Sequence, residues 1–116
     1  MKLTPSALDI DFTETQKRIC GFVKEYVENA GAEGIVLGLS GGVDSSTIAA
    51  LSSLSVGGKN VLGLMLPEEE NFNQKDIDDA KAVVEKFKLE SSICDMSAVL
   101  ESFYKAIPVF DPKDRL

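Results

Sequence analysis

The apolar positions change period along the chain, and the period predicts the elements. Between residues 13 and 30 they fall at Ile19, Phe22, Val23, Tyr26, Val27 and Ala30. Steps of three and four put them on one stripe of an amphipathic helix. Thr13 and Gln16 have capping-box spacing at its start, and Gly31 supplies a stop. Residues 35–39 are a short unbroken apolar run, the pattern of a buried strand. Residues 45–54 return to helical character, with Ile48, Ala49, Leu51 and Ser52 available for packing, and Gly57-Gly58 ends the segment. A second apolar strand is expected over 61–66, closed by Pro67. Residues 76–87 form another amphipathic helix, with Ile77, Ala80, Val83, Val84 and Phe87 on one side. A short third strand fits 91–94, and Asp95 can cap a helix running through Val99 to Phe103. The chain carries no internal repeat and no low-complexity segment.

Strands that alternate with helices, and that are apolar throughout, predict an α/β fold. The expected form is a parallel sheet with helices on both faces. Ligands of such sheets bind beyond the carboxyl ends of the strands. The segment VLGLSGGVDSST, residues 36–47, sits at that edge, between the first strand and the helix after it.

Composition narrows the possibilities. A length of 116 residues is one domain's worth, and 44% apolar residues can supply a core. No apolar run approaches the ~18 residues of a membrane span, and the N-terminus lacks the apolar segment of a signal peptide. A net charge of −7 with scattered lysines argues against nucleic-acid binding through a basic patch. Cys20 and Cys94 match no metal-ligand spacing and read as free thiols of a reducing cytoplasm.

Three nucleotide or nucleophile motifs compete for the loop. The Walker pattern fails because Asp44 and Ser45, not lysine, follow the glycines. GxGxxG fails because Ser40 stands where the second glycine belongs. Gly38-Leu39-Ser40-Gly41-Gly42 does match the GxSxG nucleophile elbow in the correct strand-to-helix setting. That mechanism needs a base for the serine proton, normally histidine, and the chain has none. A glycine-rich anion loop remains. Gly41 and Gly42 let phosphate approach the backbone, the serines offer hydroxyls, and the next helix aims its free amides there. Asp44 has two readings at this point. It caps the helix, or it binds a Mg²⁺ held on the phosphates, since a carboxylate beside phosphate is otherwise repulsive.

SGGVDSS, residues 40–46, resembles the signature of the ATP pyrophosphatase superfamily. "GIVLGLSGGVDSSTIAAL", "NVLGLMLP" and "DIDDAKAVVEKFKL" together look like the N-terminal half of an NAD synthetase. The preceding "TQKRICGFVKEYVENAG" fits that family as well, so the resemblance runs from about residue 10 to 116. It implies a Rossmann-like, adenine nucleotide alpha hydrolase-like fold, of which residues 1–116 would be the N-terminal part of one domain. It implies that ATP activates the carboxylate of nicotinic acid adenine dinucleotide, that pyrophosphate leaves, and that ammonia attacks the acyl-adenylate. By motif match, Gly38, Leu39, Ser40, Gly41, Gly42, Val43, Asp44 and Ser45 would hold ATP, and Asp44 would bind Mg²⁺. No catalytic base is assigned.

The family also implies a homodimer, and Phe22 and Tyr26 beside the stripe of the first helix are compatible with one. Free ammonia is the expected nitrogen donor, because only about 30 residues precede the first strand, far short of an amidase domain. The run Glu68-Glu69-Glu70 lies near where the family places adenine and reads as a solvated loop with no assigned role. The family's fold continues beyond Leu116, so these residues alone are expected to bind Mg·ATP weakly and not to make NAD. The competing classes are a sister ATP pyrophosphatase, of the GMP synthetase or tRNA-modifying type, and a nucleotide-binding module without turnover.

Overall fold

The structure, a computed structural model, describes residues 9–68 and 73–107. Along the chain run α1 (Phe12–Asn29), β1 (Ile35–Gly38), α2 (Val43–Val56), β2 (Val61–Met65), α3 (Gln74–Phe87), β3 (Glu90–Ile93) and α4 (Ser97–Ala106). A 3-10 turn, Gly58–Asn60, leads into β2. The strands pair parallel in the order β1-β2-β3, with Ile35 opposite Val61 and Leu62 opposite Glu90. The expected parallel sheet is therefore present, each strand within a residue of its anticipated bounds. Leu39 lies just past β1, yet its amide still donates to the Leu64 carbonyl at 2.8 Å.

Alternation along paired strands puts Ile35 and Leu37 on the same face as Val61, Gly63 and Met65. That face builds the core. Leu39, Ala49, Val61, Met65, Ala80 and Leu89 are buried there, with Val56, Ile77, Val83, Val84 and Phe87 packed against them. Two successive crossovers in one direction place both helices, α2 and α3, on one face when each has the hand that such units strongly prefer. The two helices do pack against each other and on the sheet. The opposite face carries Val36, 66% exposed, and the half-buried Leu62 and Leu64.

α2 has little apolar bias to one side because it has neighbours on several: α1, α3 and the sheet. Ala49, Ser52 and Ser55 are its buried residues, all small enough to let those neighbours approach. The Ser55 hydroxyl donates to the Leu51 carbonyl at 2.6 Å, which satisfies a buried polar group within the helix. α1 lies against α2, with Val23 and Val27 half-buried and Cys20 Sγ 3.7 Å from the Leu51 carbonyl.

The helix starts differ from the expected caps. Asp11, not Thr13, caps α1, and its Oδ1 accepts from the Glu14 amide at 3.1 Å. A carboxylate at this end gains from the helix dipole as well as the hydrogen bond, which favours it over a hydroxyl two residues later. α3 starts at Gln74, two residues ahead of the expected start, and Asn73 caps it. Asp95 does serve the start of α4, from one residue outside the cap position, where Met96 stands. Its Oδ1 accepts from the Ser97 amide at 2.9 Å. Bonds from the Ser97 hydroxyl and amide hold the Asp95 carboxyl below its ordinary pKa.

Candidate functional site

The loop between β1 and α2 is shaped by its own hydroxyls. Ser40 follows the buried Leu39 at the carboxyl end of β1. Its Oγ accepts from the Gly42 amide at 3.2 Å and lies 3.0 Å from Ser45 Oγ. Ser45 Oγ also accepts from the Ser40 amide at 3.2 Å and donates to the Gly42 carbonyl at 3.3 Å. Ser46 Oγ donates to that same carbonyl at 2.7 Å. Two serines five residues apart thus tie the strand end to the first turn of the helix.

Gly41 is required on two counts. Its φ of +85° is a conformation that side chains rarely adopt, and a Cβ built on it would stand 2.6 Å from the Asp76 carbonyl oxygen. Gly42 is the N-cap of α2, with no side-chain bond to the helix. Val43 opens the helix and is 78% exposed. The amides of Val43, Asp44 and Ser45 have no intrahelical acceptor, as in every first turn, and mark the positive end of the dipole.

Asp44 is the second residue of α2 and is exposed. It does not cap the helix, so that reading falls: the cap position belongs to Gly42. Its carboxylate has no hydrogen bond or ion pair among the described residues. No cluster of three or more metal-ligating side chains occurs among them either. A free carboxylate beside unused amides suits a hard cation that brings oxygen ligands of its own.

Next to the loop, the ends of β1 and β2 and the start of α3 enclose a cavity of about 240 Å³. Leu39, Leu66, Pro67 and Ile77 form an apolar wall, and Ser40, Glu68, Asn73 and Asp76 supply polar groups. Among the described residues no lysine or arginine lines it, so that lining favours an uncharged, hydrogen-bond-donating ligand part over an anionic one. Sequence reasoning missed Asn73 and Asp76 as site residues. The apolar period of α3 only begins at Ile77, and nothing local shows that its first turn meets Gly41. Glu69 and Glu70 of the acidic run lie outside the described residues.

The parallel sheet with a glycine-serine loop at its carboxyl edge defines a Rossmann-like α/β protein. A family model described as NAD synthase matches residues 15–113, and the chain belongs to that family. The NH(3)-dependent NAD(+) synthetase of Aeropyrum pernix is 36% identical over 93% of this chain, which spans 38% of that protein. Among solved structures, NH3-dependent NAD synthetase from Campylobacter jejuni, in complex with the nitrate ion, superposes with a TM-score of 0.80. It is 30% identical, over 89% of this chain and 44% of its own. Glutamine-dependent NAD+ synthetase from Acinetobacter baumannii, in complex with ADP, gives a TM-score of 0.78 at 25% identity, over 91% of this chain and 20% of its own. The chain thus spans less than half the length of these relatives. Among the described residues no helix is long and apolar enough to cross a membrane.

Proposed function

We propose that the protein is an ammonia-dependent NAD synthetase, and that residues 38–45 hold its ATP. The observation that carries this reading is the SGGVDSS loop, folded at the carboxyl edge of a parallel sheet in a chain of the NAD synthase family. The substrate carboxylate of nicotinic acid adenine dinucleotide attacks the α-phosphorus of ATP. The bond to the β-phosphate oxygen breaks, and the electron pair leaves with pyrophosphate. Ammonia then attacks the acyl carbon and AMP departs, leaving the amide.

This chain's residues act on the leaving side. The first amides of α2 and the dipole of that helix stabilise the charge that grows on pyrophosphate. The hydroxyls of Ser40 and Ser45 are already placed in the loop, so little reorganisation is needed. Asp44 holds Mg²⁺, which neutralises phosphate charge when bound. The chain has no histidine, and alignment of carboxylate and α-phosphorus carries the first step. Free ammonia is the donor, as the names of the Aeropyrum and Campylobacter relatives have it.

A cytoplasmic location fits two free cysteines among the described residues. A homodimer is supported by the apolar side of α1 that α2 leaves open, where Phe12, Phe22 and Tyr26 are 68–78% exposed. The test is product analysis with the full-length protein, Mg·ATP and ammonia. AMP and pyrophosphate should form with nicotinic acid adenine dinucleotide and not with xanthosine monophosphate. Turnover with xanthosine monophosphate instead would assign the protein to a sister reaction.

A further inference from the structure

Asn73 closes the first turn of α3 with three hydrogen bonds. Its side-chain Oδ1 accepts from the Lys75 amide at 2.9 Å. Its carbonyl accepts from the amides of Asp76 at 3.1 Å and Ile77 at 3.3 Å. These bonds fix where the backbone of Asp76 lies, and that backbone is the surface on which Gly41 rests. A Cβ on Gly41 would stand 2.6 Å from the Asp76 carbonyl oxygen and 3.0 Å from its Cα. The anion loop is thus held from two sides: by its own serines, and by a helix start more than thirty residues further along the chain.

We propose that Asn73 is a positioning residue for the anion loop: by capping α3 it sets the Asp76 backbone against Gly41 and keeps the loop in the shape that receives the ATP phosphates. The proposal rests on the reading of residues 38–45 as the ATP site. Asn73 also lines the cavity beside the loop, so direct contact of its amide with the nucleotide is the competing role. The two roles separate by substitution. Serine caps a helix about as well as asparagine, but it offers no amide and reaches less far.

The test compares Asn73→Ala with Asn73→Ser in the full-length protein. Loss of a cap worth about a factor of five in equilibrium should raise KM for ATP, by up to about five-fold, in Asn73→Ala. The Asn73→Ser variant should stay near the parent, and kcat should change little in either. Without any nucleotide, amide exchange at Gly41, Gly42 and Ser46 should quicken in Asn73→Ala and not in Asn73→Ser, while the interior of α2 is unaffected. Equal KM increases in both variants would assign Asn73 to direct contact and overturn the proposal. Unchanged loop exchange in Asn73→Ala would overturn it as well. If the unsubstituted protein fails to bind Mg·ATP, the proposed function falls, and the exchange data still decide whether Asn73 holds the loop.

Discussion

Gly41→Ala inserts a methyl group where the structure leaves no room, and the cost has two sources. At φ +85° an L side chain crowds its own backbone, which costs roughly 1–2 kcal/mol. The new Cβ would also stand 2.6 Å from the Asp76 carbonyl oxygen, so the loop or the first turn of α3 must give way. Overpacking of that kind costs roughly 1–3 kcal/mol. The two overlap, because one shift of the loop can relieve both, and a total of about 2–4 kcal/mol follows. Gly38→Ala is the control. It lies in the same motif, its φ is not in the left-handed region, and among the described residues no atom beyond its chain neighbours lies within 4 Å of its would-be Cβ. Its expected effect on folding is within about 0.5 kcal/mol, the range of an unstrained surface change. Urea unfolding followed by far-UV circular dichroism measures both, with the slope checked for constancy. An unchanged midpoint for Gly41→Ala would refute the close approach to α3. Equal losses in the two variants would show that motif membership, not the local geometry, sets the sensitivity.

Asp44→Asn removes a charge that has no side-chain partner among the described residues and faces only the α2 dipole, so the urea midpoint should fall only slightly while Mg²⁺-dependent turnover drops at least about ten-fold. Normal activity with an unchanged Mg²⁺ requirement would rule out the ligand role. Asp95 has a folded pKa below its ordinary value, so its contribution to stability is present above the unfolded pKa and is lost as pH falls through the folded one. Asp95→Ala should therefore be less stable than the parent at neutral pH, and the two unfolding curves should converge in strong acid. A gap that persists there would point to packing instead. Light scattering at micromolar concentration should give a dimer mass for the full-length protein, and Phe22→Glu with Tyr26→Glu should shift it toward the monomer if α1 forms the contact.

The strands and helices were legible because each has its own period. Val61 to Met65 alternates buried and half-buried residues, and α3 keeps Ile77, Ala80, Val83, Val84 and Phe87 on the core side. What the period could not show was where helices begin. Caps are polar residues outside the apolar pattern, so Thr13 stood in for Asp11 at α1, and α3 was expected to start at residue 76, with no cap assigned, rather than behind Asn73. The loop was readable as an anion site from its glycines and serines alone. Its support was not, because the meeting of Gly41 with Asp76 depends on how α3 lies across the sheet. The missing cap at Asp44 follows from the same limit. The position of a helix start relative to a glycine pair is decided by backbone geometry, and here Gly42 takes the cap.

The central claim is that the protein joins AMP to a carboxylate before ammonia arrives, and the fate of one oxygen tests it. Nicotinic acid adenine dinucleotide carrying ¹⁸O in both carboxylate positions is incubated with the full-length protein, Mg·ATP and ammonia. One carboxylate oxygen becomes the bridge to the α-phosphorus and stays with AMP when the amide forms. Mass spectrometry should therefore find one ¹⁸O in each AMP, one in each NAD amide, and none in pyrophosphate. Label in the inorganic product with unlabelled AMP would place the attack on another phosphorus and contradict the account.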